Sequence, residues 1–237
     1  MIKIFKFGGT SIKDIENIKR VAEILDDYSD ESLIIVFSAM GKVTNMLEDV
    51  TEAYLKKNGK AETKLKVVKD FHAHLLGELF EEGHFIYNEV NNLFVEIEWV
   101  LEDEPNPDFA FNYDQIVSIG ELLSTKIMNA YLSENGFENS WLDARDIIRT
   151  DNKYRNAKID WEQTITFCKD KITHFPIITQ GFIGCTSENF TTTLGREGSD
   201  FTAAILAFSL DAQQVIIWKD VDGVMNADPR FFEDTRQ

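Results

Sequence analysis

The segment "IKIFKF", residues 2–7, alternates apolar and polar side chains, which is the pattern of a strand with one exposed face. The run "LIIVFSA", residues 33–39, is continuously apolar and reads as a strand buried on both faces of a parallel sheet. Between them, "DIENIKRVAEILDDY" sets Ile15, Ile18, Val21, Ala22 and Leu25 at helical spacing. A strand, a helix and a second strand in this order predict a right-handed crossover in a parallel sheet.

From Leu47 to about Glu104 the pattern is helical and heavily charged, with no strand signal, until the two prolines of "EDEPNPD" interrupt it. The stretch "YDQIVSIGELLSTKIMNAYLSENG" carries apolar residues at 116, 119, 122, 123, 127 and 130 and ends in Gly136, a C-capping glycine, so one long helix is predicted there. Short strands are predicted at Ser140 to Asp143 and Pro176 to Gly181. A helix opens near Ser199, and "QVIIWKD" reads as a second buried strand. No internal repeat or low-complexity linker interrupts this alternation, which specifies an α/β fold.

Composition narrows the class. The chain has 237 residues, 43% hydrophobic and 27% charged, as expected of a globular chain with a sizeable core. No run reaches the roughly 20 apolar residues of a membrane span, and "MIKIFKFGGT" lacks the apolar core of a signal peptide, so the cytosol is the expected compartment. A net charge of −17 argues against nucleic acid or anionic membranes as partners. A small anionic ligand would need local positive groups. Cys168 and Cys185 form no CxxC pair, and His72 and His74 lie on different helix faces, so structural or surface roles are expected for both residue types and no protein metal ligands are assigned.

Four loops follow apolar strands: "KFGGTS", "SAMGKVTN", "TLGREGSD" and "KDVDGVMNADPR". Ligands of open α/β sheets gather at such carboxyl ends, where glycine amides and helix N-termini receive anions. Neither standard nucleotide fingerprint is present. Val36 stands where a P-loop would need its first glycine and Thr44 is one position late, while "GREGSD" has only Gly195 and Gly198. Lys6 on its strand can set a point charge against phosphate oxygens, or can be a solvated lysine before an ordinary turn. Arg196 offers a fork for a carboxylate, and Ser199 or Asp200 could be plain N-caps. Glu121, inside an apolar helix, either needs a cationic partner or lies at the edge of the stripe. Asp220 and Asp222 follow a strand but sit among strong turn signals.

Together and in this order, these segments resemble the aspartate kinases of the amino acid kinase family. The likeness runs through "KFGGTS", "SAMGKVTNML", "SIGELLS", "RDIIRTDNKYRNAKID", "TQGFIG", "TTTLGREGSD" and "WKDVDGVMNADPR", nearly the whole chain. It implies a three-layer αβα sandwich around a mainly parallel sheet. It also implies transfer of a phosphoryl group from ATP, with Mg²⁺, to the β-carboxylate of L-aspartate, the step that opens lysine, threonine and methionine biosynthesis. Residues 1–237 are then one catalytic domain, with aspartate held by the N-terminal part and nucleotide by the part from about residue 175.

Matched position by position, the resemblance implies catalytic roles for Lys6 and Asp200, with the Gly8 and Gly9 amides beside the phosphoryl group. It implies aspartate contacts at Ser38, Thr44, Glu121, Phe182, Arg196 and Ser199, and nucleotide contacts at Lys219, Asp220, Met225 and Arg230. Three positions depart from the usual pattern: Glu197 replaces a frequent glycine, Lys219 a threonine and Met225 a tyrosine. The family pattern continues past "DPR" with another nucleotide-site lysine and usually with regulatory ACT domains. An incomplete ATP pocket is therefore expected, as is a homo-oligomer whose contacts lie partly in ACT domains. A kinase for another small acid such as glutamate, or an aspartate-binding module without activity, are the alternatives.

Overall fold

The computed structural model describes residues 1–219, 223, 226, 227, 231, 232 and 234–236. Its centre is a parallel sheet of five strands: β1 (Lys3–Phe7), β2 (Leu33–Phe37), β3 (Ser140–Leu142), β4 (Ile177–Gln180) and β7 (Gln214–Trp218). They lie in the order β3-β4-β2-β1-β7, and every neighbouring pair is parallel. Helices cover both sides of the sheet. The αβα architecture expected from the sequence is the one observed.

The first crossover helix, α1 (Ile15–Asp26), is capped by Asp14, whose side chain accepts a hydrogen bond from the Asn17 amide at 2.9 Å. The charged segment 47–104 becomes three helices, α2 (Val43–Leu55), α3 (Ala61–Leu79) and α4 (Ile86–Glu102). The predicted long helix is divided at Ser118 into α5 (Phe109–Val117) and α6 (Ile119–Glu134). Gly136 then takes a left-handed φ of +88°, as a C-terminal glycine should. α6 packs on β2, β3 and β4, which explains why its buried residues run almost all the way round it.

Two strand expectations are corrected by the order of the sheet. β1 is not half-exposed: it lies between β2 and β7, and Ile4, Phe5 and Phe7 are fully buried. β7 is not a buried strand. Among the described residues only β1 flanks it, and Val215 and Ile217 are 39% and 41% exposed. Its inward side is anchored by Trp218, which stacks on Phe7 at 5.7 Å, while Phe7 stacks on Phe37 at 5.4 Å. These three rings occupy one cross-strand row.

Elements absent from the sequence reading complete the fold. α7 (Trp161–Lys171) is N-capped by Asp160. A small antiparallel pair, β5 (Ile183–Cys185) with β6 (Thr191–Thr193), stands beside the main sheet. The helix predicted near Ser199 is α8 (Gly198–Leu210), which packs on β1, β2 and β7. No helix among the described residues is long and apolar enough to cross a membrane. Cys168 and Cys185 are buried free thiols.

His72 has a structural place in α3. Its ring is buried edge-on to Phe71 and Phe94, and Nδ1 bonds the Val68 carbonyl at 2.8 Å. Burial lowers its pKa to about 4. A base whose folded pKa lies below the unfolded value of 6.5 contributes its stability fully above pH 6.5 and loses it as pH falls through 4. Between pH 7 and 4.5 this contribution amounts to about 2–3 kcal/mol. Urea unfolding of His72→Phe at the two pH values should show a correspondingly smaller acid loss than the unaltered chain.

Candidate functional site

The carboxyl ends of β1, β2 and β4 and the start of α8 face one cleft of about 550 Å³. Lys6, the penultimate residue of β1, is only 8% exposed, and its Nζ lies 2.6 Å from Asp200 Oδ1 in the first turn of α8. Lys219, one residue past β7, approaches the other Asp200 oxygen at 3.8 Å. Asp200 therefore stands between two ammonium groups and holds Lys6 at the floor of the cleft.

The turn after β1 is laced to the turn after β2. The Ser38 amide donates to the Phe7 carbonyl at 3.2 Å, and the Gly41 amide donates to the Gly9 carbonyl at 2.9 Å. A Cβ on Gly9 would lie 2.5 Å from the Ala39 carbonyl oxygen, so the two turns meet only because residue 9 is glycine. Gly8 sits beside the Lys6 ammonium, and a Cβ there would lie 3.7 Å from Nζ.

Glu121 enters from the first turn of α6. It is 3% exposed, not a residue at the edge of a stripe. Oε1 accepts the Ala39 amide at 3.3 Å, while Oε2 is buried without a hydrogen-bond partner among the described residues. Burial raises its pKa from 4.5 to about 8, against the smaller lowering effect of its backbone hydrogen bonds. A buried carboxyl oxygen without a partner, on a residue that lines a cleft, calls for a cation or a donor.

The opposite wall comes from the segment between β6 and α8. Residue 197, not Ser199 or Asp200, is the N-cap of α8, and its side chain makes no capping bond. Glu197 holds a left-handed φ of +56°, a conformation that suits glycine. Ser199 is instead buried against Gly181, where a Cβ would come within 2.4 Å of the Ser199 Cβ. Phe182 follows at φ +70°, donating its amide to Thr202 Oγ1 at 2.9 Å and accepting the Leu194 amide at 2.9 Å.

The cleft thus brings together Lys6, Ser38, Thr44, Glu121 and Phe182 with Arg196, Ser199, Asp200 and Lys219. Gly8 and Gly9 are not in its lining: Gly8 adjoins the Lys6 ammonium and Gly9 the turn at Ala39 and Gly41. Asp220, Asp222, Met225 and Arg230 lie outside the described residues. Sequence reasoning missed Glu48, Tyr113, Arg155 and Thr193, which also line the cleft. Tyr113 donates its hydroxyl to Glu48 Oε1 at 2.7 Å, and its pKa is raised by burial and by that carboxylate.

Asp114, next in α5, is fully buried. It accepts the Arg155 amide at 2.9 Å, the Thr193 amide at 2.8 Å and the Thr193 hydroxyl at 2.7 Å. Burial raises its pKa to about 6 in spite of these bonds. Asp114 ties α5, β6 and the loop carrying Arg155 into one wall. Nothing in the local sequence announces these contacts, because their partners lie 41 and 79 residues away.

The cleft carries four cations (Lys6, Arg155, Arg196, Lys219) and four acidic side chains (Glu48, Glu121, Glu197, Asp200), of which Glu121 is held towards its neutral form, among its described lining, whereas the whole chain carries −17. This local balance suits a small ligand bearing both signs. Among the described residues no group of three or more His, Cys, Asp or Glu is placed to hold a metal.

A parallel sheet with helices on both sides carries the cleft at its carboxyl ends, and the chain belongs to the amino acid kinase family, whose model matches residues 1–237. It is similar to lysine-sensitive aspartokinase 3 of Escherichia coli, with 34% identity over 97% of this chain and 51% of that protein. It is also 31% identical to the chloroplastic bifunctional aspartokinase/homoserine dehydrogenase 2 of Arabidopsis thaliana, over 97% of this chain and 26% of that protein. The crystal structure of E. coli aspartokinase III in complex with aspartate and ADP superposes with a TM-score of 0.91 at 32% identity, covering 100% of this chain and 53% of that one. The chain spans about half the length, or less, of these relatives.

Because the folded pKa of Glu121 is raised, its contribution to stability is present below pH 4.5 and is lost as pH rises through 8. Glu121→Gln keeps an acceptor for the Ala39 amide without the charge. Its thermal stability should gain on the unaltered chain from pH 4.5 upward and level off above pH 8, measured in melts without ligand.

Proposed function

We propose that this chain carries the catalytic site of an aspartate kinase, which transfers the γ-phosphoryl group of ATP to the β-carboxylate of L-aspartate to give 4-phospho-L-aspartate. The observation that carries the reading is the buried, unpartnered oxygen of Glu121, a residue that lines the same cleft as Arg196 and the Lys6–Asp200 pair. In this reading Glu121 receives the substrate ammonium and Arg196 its α-carboxylate. Ser38, Thr44, Phe182 and Ser199 shape the space between them.

The attacking oxygen of the β-carboxylate is already ionised at neutral pH, so no general base is required. The bond from that oxygen to Pγ forms as the bond from Pγ to the β,γ-bridging oxygen breaks, and the electron pair leaves on ADP. Positioning and charge neutralisation then supply the acceleration. Lys6, fixed by Asp200, sets its ammonium where the migrating phosphoryl group carries charge, beside the Gly8 and Gly9 amides. Lys219, bridged to the same carboxylate, marks the nucleotide side, to which the segment from about residue 175 belongs together with Asp220, Met225 and Arg230. The protein offers no carboxylate cage for a divalent ion among its described residues. The Mg²⁺ expected with ATP is therefore assigned to the nucleotide phosphates, its usual ligands in such sites.

Support comes from the similarity to E. coli aspartokinase III, whose complex contains aspartate and ADP, and from the complementarity of the cleft to a zwitterionic diacid. Hydroxylamine trapping of the acyl phosphate should detect ATP-dependent product with aspartate. Product from glutamate alone would overturn the choice of substrate. Lys6→Ala should lower turnover by about 100-fold or more while calorimetric aspartate affinity stays within a few-fold. Near-normal turnover would remove Lys6 from the phosphoryl end.

A further inference from the structure

Arg155 is an arginine where the backbone favours glycine. Its φ is +64°, and its amide is pinned to the buried Asp114 carboxylate at 2.9 Å. Strain of this kind at a non-glycine residue is kept where the side chain is wanted in one place. The guanidinium lies over the Tyr113 ring at 4.2 Å from its centroid and over Phe109 at 5.2 Å. A guanidinium stacked on two rings is oriented before any ligand arrives, and its edge remains free to fork onto a carboxylate. Arg155 lines the cleft and has no carboxylate within ion-pair distance among the described residues.

The charges around it say what it would meet. Asp200 is engaged by Lys6 and Lys219, and Glu48 by the Tyr113 hydroxyl. Glu121 keeps one buried oxygen without a partner among the described residues. Arg196 is likewise without an ion-pair partner among the described residues, but its neighbour in sequence is the carboxylate of Glu197, which offsets its field at the mouth of the cleft. A second cation on the Tyr113 wall restores an excess of positive charge where the carboxylate that does not react must sit.

We propose that Arg155 is a further substrate-binding residue, which takes the non-reacting carboxylate of a dicarboxylic amino acid jointly with Arg196 and thereby selects an acid over an amide at that end. This rests on the aspartate reading of the same cleft. Both arginines are exposed in the free cleft, so the contribution of Arg155 is that of a screened charge, not of a buried pair.

The test is calorimetric titration of the unaltered chain, Arg155→Gly and Arg155→Lys with L-aspartate and with its α-amide. Arg155→Gly should bind aspartate about three- to fivefold more weakly yet bind the α-amide as the unaltered chain does, with Arg155→Lys in between for aspartate. Its melting temperature should be equal or higher, since glycine adopts the left-handed backbone without strain. Equal losses for both ligands, or an unchanged aspartate affinity, would overturn the role of Arg155 alone. Failure of the unaltered chain to bind aspartate would overturn the aspartate reading and this inference with it.

Discussion

The ion pair between Lys6 and Asp200 joins the first strand of the chain to the last helix of the described fold. A lysine 8% exposed on a central strand would be costly without a partner. The partner is available only if α8 packs on β1 with its first turn at the carboxyl end of the strand. That packing in turn requires Ser199 to lie against Gly181, where no side chain intervenes. The pair thus joins the start of α8 to the carboxyl end of β1, where the cleft opens.

A second constraint acts on the opposite wall. Asp114 gathers donors from Arg155 and Thr193 around one buried carboxylate, and so fixes the loop that carries Arg155 against α5. The cleft therefore has two rigid sides, one organised by an acid between two lysines and the other by an acid between backbone amides. Glu121 stands at the end of a buried helix with one oxygen unpartnered. Burial suppresses its ionisation, and a cation beside that oxygen would favour it.

Much of the candidate site was legible from residue types. Lys6, Glu121, Arg196, Ser199 and Asp200 stand at strand ends or helix starts, and the structure places all of them on one cleft. Their local sequences could not distinguish Glu121 as buried from Glu121 as surface, since helical spacing records a face and not what covers it. Ser199 illustrates the converse: its type and position suggested an N-cap, yet Glu197 takes that place through a left-handed turn. Arg155 lay within a segment that carries the resemblance but had no role of its own there, and Tyr113 was not singled out. Their importance arises from an aromatic shelf between α5 and a loop some forty residues further along.

The sequence by itself determined the alternation of strands and helices, the parallel crossover at the start and the local chemistry of each loop, because periodicity and turn residues act over a few positions. Tertiary structure decided which strands are central. β1 reads as half-exposed but is buried between β2 and β7, and β7 reads as buried but is flanked, among the described residues, by β1 alone. The physical reason is that burial of a strand depends on its neighbours in the sheet, which the strand's own residues do not encode. The same holds for the charges: only folding sets four cations against four acidic side chains in a chain of net charge −17.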